Sequence, residues 1–219
     1  MKNTEAYEIG ENHVGSIETP LRPDAFALSD DEKVSKIAEH FSAIMETLGL
    51  DLTDDSLSGT PLRVANMYVN EVFSGLKPEN LPEVTLFENS FNYDEMIVEK
   101  NITFFSNCEH HFVPIFGKAH VAYISSGKVI GLSKINRIVQ YFAKRPQIQE
   151  RLTKQIAEKM KELLKTNDLA VVIDATHLCV SSRGVGDTNS QTGTAHFSGK
   201  FKEEIVKNEF LNFINANTI

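Results

Sequence analysis

Two short clusters of soft metal donors, far apart in the chain, constrain this protein more than any other feature. The first is Ser106-Asn107-Cys108-Glu109-His110-His111, which places one thiol and two imidazoles in four positions; the second is His177-Leu178-Cys179. Cys108 and His111 have the C-x-x-H spacing that lets one turn present both groups to a single ion. His177 and Cys179 are two apart on an expected strand, where alternation puts them on one face. Either pair alone is a weak signal. Together they are strong, because both cysteines of the chain stand beside histidines, and the fold must then close the long segment between them around one ion. Thiolate and imidazole donors in a tetrahedral set favour zinc. Two thiolates and one imidazole leave a fourth position for water, the catalytic pattern, whereas four protein ligands make a closed structural site. Spacing leaves both arrangements open. It also leaves His110 and His177 open as extra ligands, acid–base groups or packed side chains.

Charge narrows the partners. The chain carries 22 basic and 30 acidic residues, a net charge of −8, whereas a protein that binds nucleic acid in bulk presents a basic face. No nucleic-acid partner is expected, and an anionic ligand would need a local cluster of Arg and Lys. No apolar run approaches the roughly 20 residues that span a bilayer. The N-terminal segment lacks the apolar core of a secretory signal, so a cytoplasmic location without membrane attachment is expected. A disulfide is not expected in that compartment.

Three regions follow from the patterning. Residues 1–28 are polar, without a sustained period, and read as a flexible arm or a segment that orders against a partner. Residues 29–95 read as helical: Ser29 and Glu32 form a capping box, Val34, Ile37, Phe41, Met45 and Leu48 follow at helical spacing, and Gly49 ends the run. A second helix is expected from Thr60 as N-cap, with Pro61 at its first position, to Gly75. A linker rich in Pro, Asn and Glu then runs to about 95. From 96 to 219 the pattern gives strands at Met96–Ser106, Phe112–Ile124 and Lys128–Leu132. A helix capped by Ser133 and a second begun by Pro146 come next, then strands at Leu169–Val180 and about Gln191–Phe201, and a terminal helix. Strands, a helix pair and more strands argue for α+β with an antiparallel sheet.

Between the half-sites lies GLSKINRIVQYFAKRPQIQERLTKQIA. Ser133, Lys134 and Arg137 stand at the start of an expected helix, a suitable place for phosphate oxygens. Arg183 follows Cys179 closely, and Arg63 lies in the first turn of the second helix. Any one of these cations is more commonly a solvated surface charge, and Lys144, Arg145 and Arg151 read as no more than that. Gln149-Glu150 opens the following helix; a carboxylate there accepts two hydrogen bonds from the N1–H and amine edge of guanine, an edge adenine lacks. No Walker A pattern and no G-x-G-x-x-G occurs, so nothing marks a bound triphosphate for P–O cleavage.

TPLRVANMYVNEVFSGL, SNCEHHFVPIFGKAHVAYI, VIGLSKINRIVQYFAKRPQIQERLTKQIA and HLCVSSRGV closely resemble the GTP cyclohydrolase I family, over roughly residues 29–215. The resemblance implies a tunnelling fold, an antiparallel sheet backed by two helices behind a helical N-terminal part. It also implies a homo-oligomer, a decamer of two pentamers with active sites at subunit interfaces. Cys108, His111 and Cys179 become the zinc ligands, and His110 and His177 the acid–base pair. Glu150, helped by Gln149, becomes the guanine anchor, and Ser133, Lys134, Arg137, Arg183 and Arg63 hold the triphosphate and ribose. The implied reaction opens the guanine imidazole ring of GTP by hydrolysis. It releases formate and gives 7,8-dihydroneopterin triphosphate, the first step toward tetrahydrofolate and other pterins. Asn66 departs from the basic residue that many members carry after RVA. The competing readings are another tunnelling-fold pterin or purine enzyme, and a non-catalytic zinc-stabilised nucleotide-binding protein.

Overall fold

The computed structural model describes residues 17–216; residues 1–16 of the expected arm lie outside it. Within the described part of that arm, the Ile17 carbonyl accepts a hydrogen bond from Gln155 (2.7 Å) and Thr19 meets Arg145. Helix α1 (Asp30–Thr47) begins with the expected capping box: Ser29 Oγ accepts from the Glu32 amide (3.3 Å), and the Glu32 carboxylate accepts from the Ser29 amide (2.8 Å). Gly49 ends it at φ +83°, where a side chain would be strained. Helix α2 (Thr60–Asn66) is capped by Gly59 instead of Thr60, which already lies inside the helix, its hydroxyl accepting from Arg63. It does not run unbroken to Gly75 either, because it widens into a π-helical turn at Met67–Val72 and then a 3-10 turn at Ser74–Leu76.

The expected linker contains a short strand, β1 (Leu86–Glu88), which pairs antiparallel with β4 (Lys128–Ile130). The main sheet holds β2 (Met96–Cys108), β3 (Pro114–Ile124), β5 (Pro146–Gln147), β6 (Leu169–His177) and β7 (Thr192–Ser198), in the order β5-β2-β3-β6-β7. Every pairing is antiparallel except β5 with β2. Helices α3 (Leu132–Ala143) and α4 (Gln149–Leu164) cover one face, the α+β architecture that the resemblance implies. A one-turn helix α5 (Leu178–Ser181) follows β6, and α6 (Glu204–Asn215) closes the chain.

Two local expectations yield to tertiary pairing. Ser133 is not a cap; Gly131 takes that position, and Ser133 is the second residue of α3. Pro146 does not start a helix. It pairs in parallel with Asn107 through β5, and α4 begins only at Gln149.

The sheet divides its side chains by strand alternation. Ala119, Val121 and Tyr123 of β3 and Leu169, Val171 and Ile173 of β6 face α3 and α4, joining Ile135, Ile138, Leu152 and Ile156 in the main core. Their neighbours Ala122, Ile124, Ala170 and Val172 point the other way and meet Phe201 and Phe210 beside α6. Each fully buried large aliphatic side chain contributes about 1.5–3 kcal/mol, so the helix-facing layer dominates stability.

His120 lies on the second face, 5% exposed, where β2 bulges between Glu99 and Ile102. Its Nδ1 accepts from the amide of Asn101 (3.3 Å), which sits at φ +60°. Burial pushes the imidazole below its ordinary value; Asp174 opposes this, while Lys100 and Lys118 reinforce it. The native state therefore binds fewer protons than the unfolded chain, and the stability this confers is lost as pH falls below the unfolded value. The melting temperature is expected to drop between about pH 7 and about pH 5. His120→Gln should flatten that dependence, and parallel melting curves for the two proteins would exclude the effect.

Candidate active site

β2 ends at Cys108, and the chain turns back sharply into β3. The turn is closed by the Phe112 amide donating to the Cys108 carbonyl (2.8 Å) and the Cys108 amide donating to Val113 (2.9 Å). Phe112 occupies the left-handed region at φ +52°, a strain of order 1–3 kcal/mol for a side-chain-bearing residue. Packing holds it there: its ring lies 5.2 Å from that of Phe73 and 6.2 Å from that of Tyr68. The helical N-terminal region thus supports the turn. On the other side, Cys108 pairs with Gln147, and the Glu109 amide donates to the Gln147 carbonyl (3.0 Å). This parallel pairing sets the head of α4 beside the turn.

β6 ends at His177, and Cys179 lies in α5. The alternation argument for that pair therefore fails, although a turn of helix still delivers Cys179 to the same place. One ligand atom each from Cys108, His111 and Cys179 lie within 4.8 Å of one another, the only such group of three or more among the described residues. Cys108 Sγ is 3.9 Å from His111 Nδ1 and 3.8 Å from His110 Nδ1. Burial and the adjoining Cys108 thiol raise the Cys179 thiol above its ordinary value, with Arg183 pulling the other way. Two sulfurs and one imidazole nitrogen fit a zinc site with room for a further ligand.

The head of α4 supplies the surroundings. Arg151 grips Glu109 through its two terminal guanidinium nitrogens (2.5 and 3.4 Å), tying the helix to the middle of the metal turn. Gln149 is buried, and its side-chain oxygen lies 2.7 Å from His177 Nε2. Burial lowers the His177 imidazole from its ordinary value, and Glu150 opposes that. Glu150 itself is exposed, its carboxylate open to a ligand.

The family model of GTP cyclohydrolase I matches residues 37–215. The chain belongs to the GTP cyclohydrolase I family. It is 56% identical to the GTP cyclohydrolase 1 of Flavobacterium johnsoniae over 221 aligned positions, covering 100% of this chain and 99% of that protein. The enzyme of the same name from Aeromonas salmonicida is 59% identical over 188 positions, 86% of this chain and 85% of the relative. That from Vibrio parahaemolyticus is 55% identical over 196, 89% of each.

The cations expected from the sequence to bind anions lie on different elements. Arg183 lies close enough to Cys179 to act on its charge. Ser133 and Arg137 are exposed on α3, and Lys134 is half-buried there. Arg137 lines a groove of about 350 Å³ together with Lys144, Gln140 and Asn80. Arg63 is exposed on α2, donating to the Ser56 carbonyl (3.2 Å) and Thr60 Oγ1 (2.8 Å). Asn66 donates to the Leu62 carbonyl of its own helix (2.9 Å). Among the described residues no hydrogen bond or ion pair joins Arg63, Ser133, Lys134 or Arg137 to the metal cluster.

Two cations read from sequence as solvated are not. Arg145 is 7% exposed, lies 4.6 Å and 4.8 Å from the ring centroids of Tyr141 and Phe142, and donates to the Gly75 carbonyl (2.7 Å). Arg151 has a side chain only 10% exposed. The one available signal for Arg151 was the carboxylate of Glu109 inside the metal motif, since a half-buried acid needs a partner.

Proposed function

We propose that the protein is a GTP cyclohydrolase I that hydrolytically opens the imidazole ring of guanine in GTP, releasing formate and giving 7,8-dihydroneopterin triphosphate. The observation that carries this reading is the convergence of Cys108, His111 and Cys179 beside a helix head that presents the exposed carboxylate of Glu150. Zinc is the proposed metal; Cys108, His111 and Cys179 would hold it, and it would supply Lewis acidity toward water near neutral pH. His110 and His177 are the acid–base pair. An imidazole with an ordinary value near 6.5 can protonate guanine N7, which makes C8 electrophilic, and can move protons again as the ring opens and formate leaves.

Glu150 selects guanine by accepting from N1–H and the exocyclic amine. Ser133, Lys134, Arg137, Arg183 and Arg63 grip the triphosphate and ribose. Among the described residues no hydrogen bond or ion pair joins the α2 and α3 cations to the metal cluster within one chain, which supports a homo-oligomer in which neighbouring copies complete each site; a decamer is the proposed form. The described residues contain no helix long and apolar enough to cross a membrane; the proposed role is in tetrahydrofolate and pterin synthesis in the cytoplasm.

The test is incubation with GTP, mild oxidation, and assay of formate and pterin fluorescence. Zinc and GTP binding with neither product would favour a nucleotide-binding protein instead. Glu150→Gln should raise KM for GTP on the order of 10-fold or more, the size of a lost charge-assisted hydrogen bond, with zinc content unchanged. Unaltered KM would remove Glu150 from guanine recognition.

A further inference from the structure

The orientation of the buried Gln149 amide can be read from its partners. Its nitrogen lies 3.0 Å from the Ile173 carbonyl oxygen, 2.7 Å from the Thr192 carbonyl oxygen and 3.2 Å from Thr194 Oγ1. Backbone carbonyls only accept, so the NH2 group must face them. The amide oxygen is then the atom facing His177 Nε2 at 2.7 Å. The neighbouring hydroxyls agree. Thr153 Oγ1 donates to the Gln149 backbone carbonyl (2.9 Å) and so accepts from Thr194 Oγ1 (2.7 Å), which leaves the Thr194 oxygen an acceptor that shares one of the two amide hydrogens with a carbonyl. An amide oxygen cannot donate, so the hydrogen between Gln149 and His177 belongs to His177 Nε2.

We infer that Gln149 is a positioning residue that fixes His177 in its Nε2–H tautomer and so sets the orientation of the ring, leaving Nδ1 as its bare nitrogen. This deepens the reading of His177 as an acid–base group and rests on it. In the neutral ring, Nδ1 holds the one free lone pair. The same geometry turns the Gln149 amide away from the base: its hydrogens and its oxygen all have protein partners, and the guanine edge is left to Glu150.

The two contacts to backbone carbonyls explain why an amide stands at this position. A carboxylate would accept from His177 Nε2–H equally well, but it would face the Ile173 and Thr192 oxygens with no hydrogen to offer. A methionine would fill the volume and hold neither side. Gln149→Met therefore removes the orienting bond at little change in size.

The direct test is solid-state 15N NMR of the zinc-loaded protein with labelled histidine, at about pH 8 where an ordinary imidazole is neutral, with His177 assigned by comparison with His177→Asn. The expected spectrum shows His177 protonated at Nε2, with Nδ1 bare. A ring protonated at Nδ1 would overturn the inference, and this readout needs no altered Gln149. In parallel, Gln149→Met should lower kcat on the order of 10²-fold, the lower end of what a positioned acid–base group contributes, while KM for GTP stays within about twofold. A raised KM at unchanged kcat would return Gln149 to guanine binding and overturn the positioning role. Full formate release by His177→Asn would sink the acid–base reading of His177, whatever tautomer the spectrum shows.

Discussion

Cys108→Ser is expected to lose both its bound metal and its release of formate from GTP. The substitution changes almost nothing else. Cys108 is 5% exposed at the end of β2, and serine fits the same space and keeps the backbone bonds that close the turn. What disappears is a soft thiolate donor, replaced by a hydroxyl that stays protonated and binds a borderline-soft ion poorly. Loss of an outer-shell partner of a metal ligand typically costs 10–100-fold. Loss of a ligand itself should therefore cost on the order of 10³-fold or more. Thermal stability of the metal-free forms should stay close to wild type, which separates a ligand defect from a folding defect. His111→Ala should behave alike. Zinc content and formate measured on one preparation give the answer, and undiminished activity in a zinc-free variant would contradict the assignment.

Gly75→Ala is expected to destabilise the protein by about 3 kcal/mol, the upper part of the usual range for overpacking, and to impair the active site from a distance. A Cβ on Gly75 would lie 2.0 Å from the Tyr141 carbonyl oxygen and 2.8 Å from that of Lys144. Both are backbone atoms of the α3 end and cannot swing aside. The glycine also donates to Lys144 (2.9 Å) and accepts from Arg145 (2.7 Å), so this contact fastens the N-terminal helices to the sheet domain. Phe73 stands two residues earlier and packs on Phe112 of the metal turn. Displacing Gly75 should therefore lower the denaturant midpoint and also lower kcat. A wild-type midpoint would contradict a junction this tightly packed.

The faces of the two covering helices were legible because burial imposes a 3.6-residue period. Ile135, Ile138, Val139 and Phe142 on α3, and Leu152, Ile156 and Met160 on α4, all fall in the main core. The capping box of α1 was equally plain, since its two partners lie three residues apart. Local signals misled where distant backbone competes for the same residues. Pro146 suits the first turn of a helix, but its segment pairs with Cys108 instead, and Ser133 loses its capping role to Gly131. At the second half-site the expected residues meet the first for a different reason than alternation, because β6 stops at His177 and α5 carries Cys179.

What sequence could not reveal are pairings between residues far apart. Arg151 with Glu109 and Gln149 with His177 are set by the parallel β5–β2 contact and by the end of β6. Neither has a periodic or short-range signature. Gly75 looked like a helix stop, whereas its glycine is required by the close approach of α3. The two motifs name the candidate donor atoms; the packing around them determines how those atoms are held.

The most direct measurement strips the wild-type protein of metal with a chelator and titrates zinc back while following formate release from GTP. The account predicts negligible release from the stripped protein, then a rise in proportion to bound zinc that saturates near one ion per chain. Full release from metal-free protein, or a rise that ignores how much zinc is bound, would contradict it.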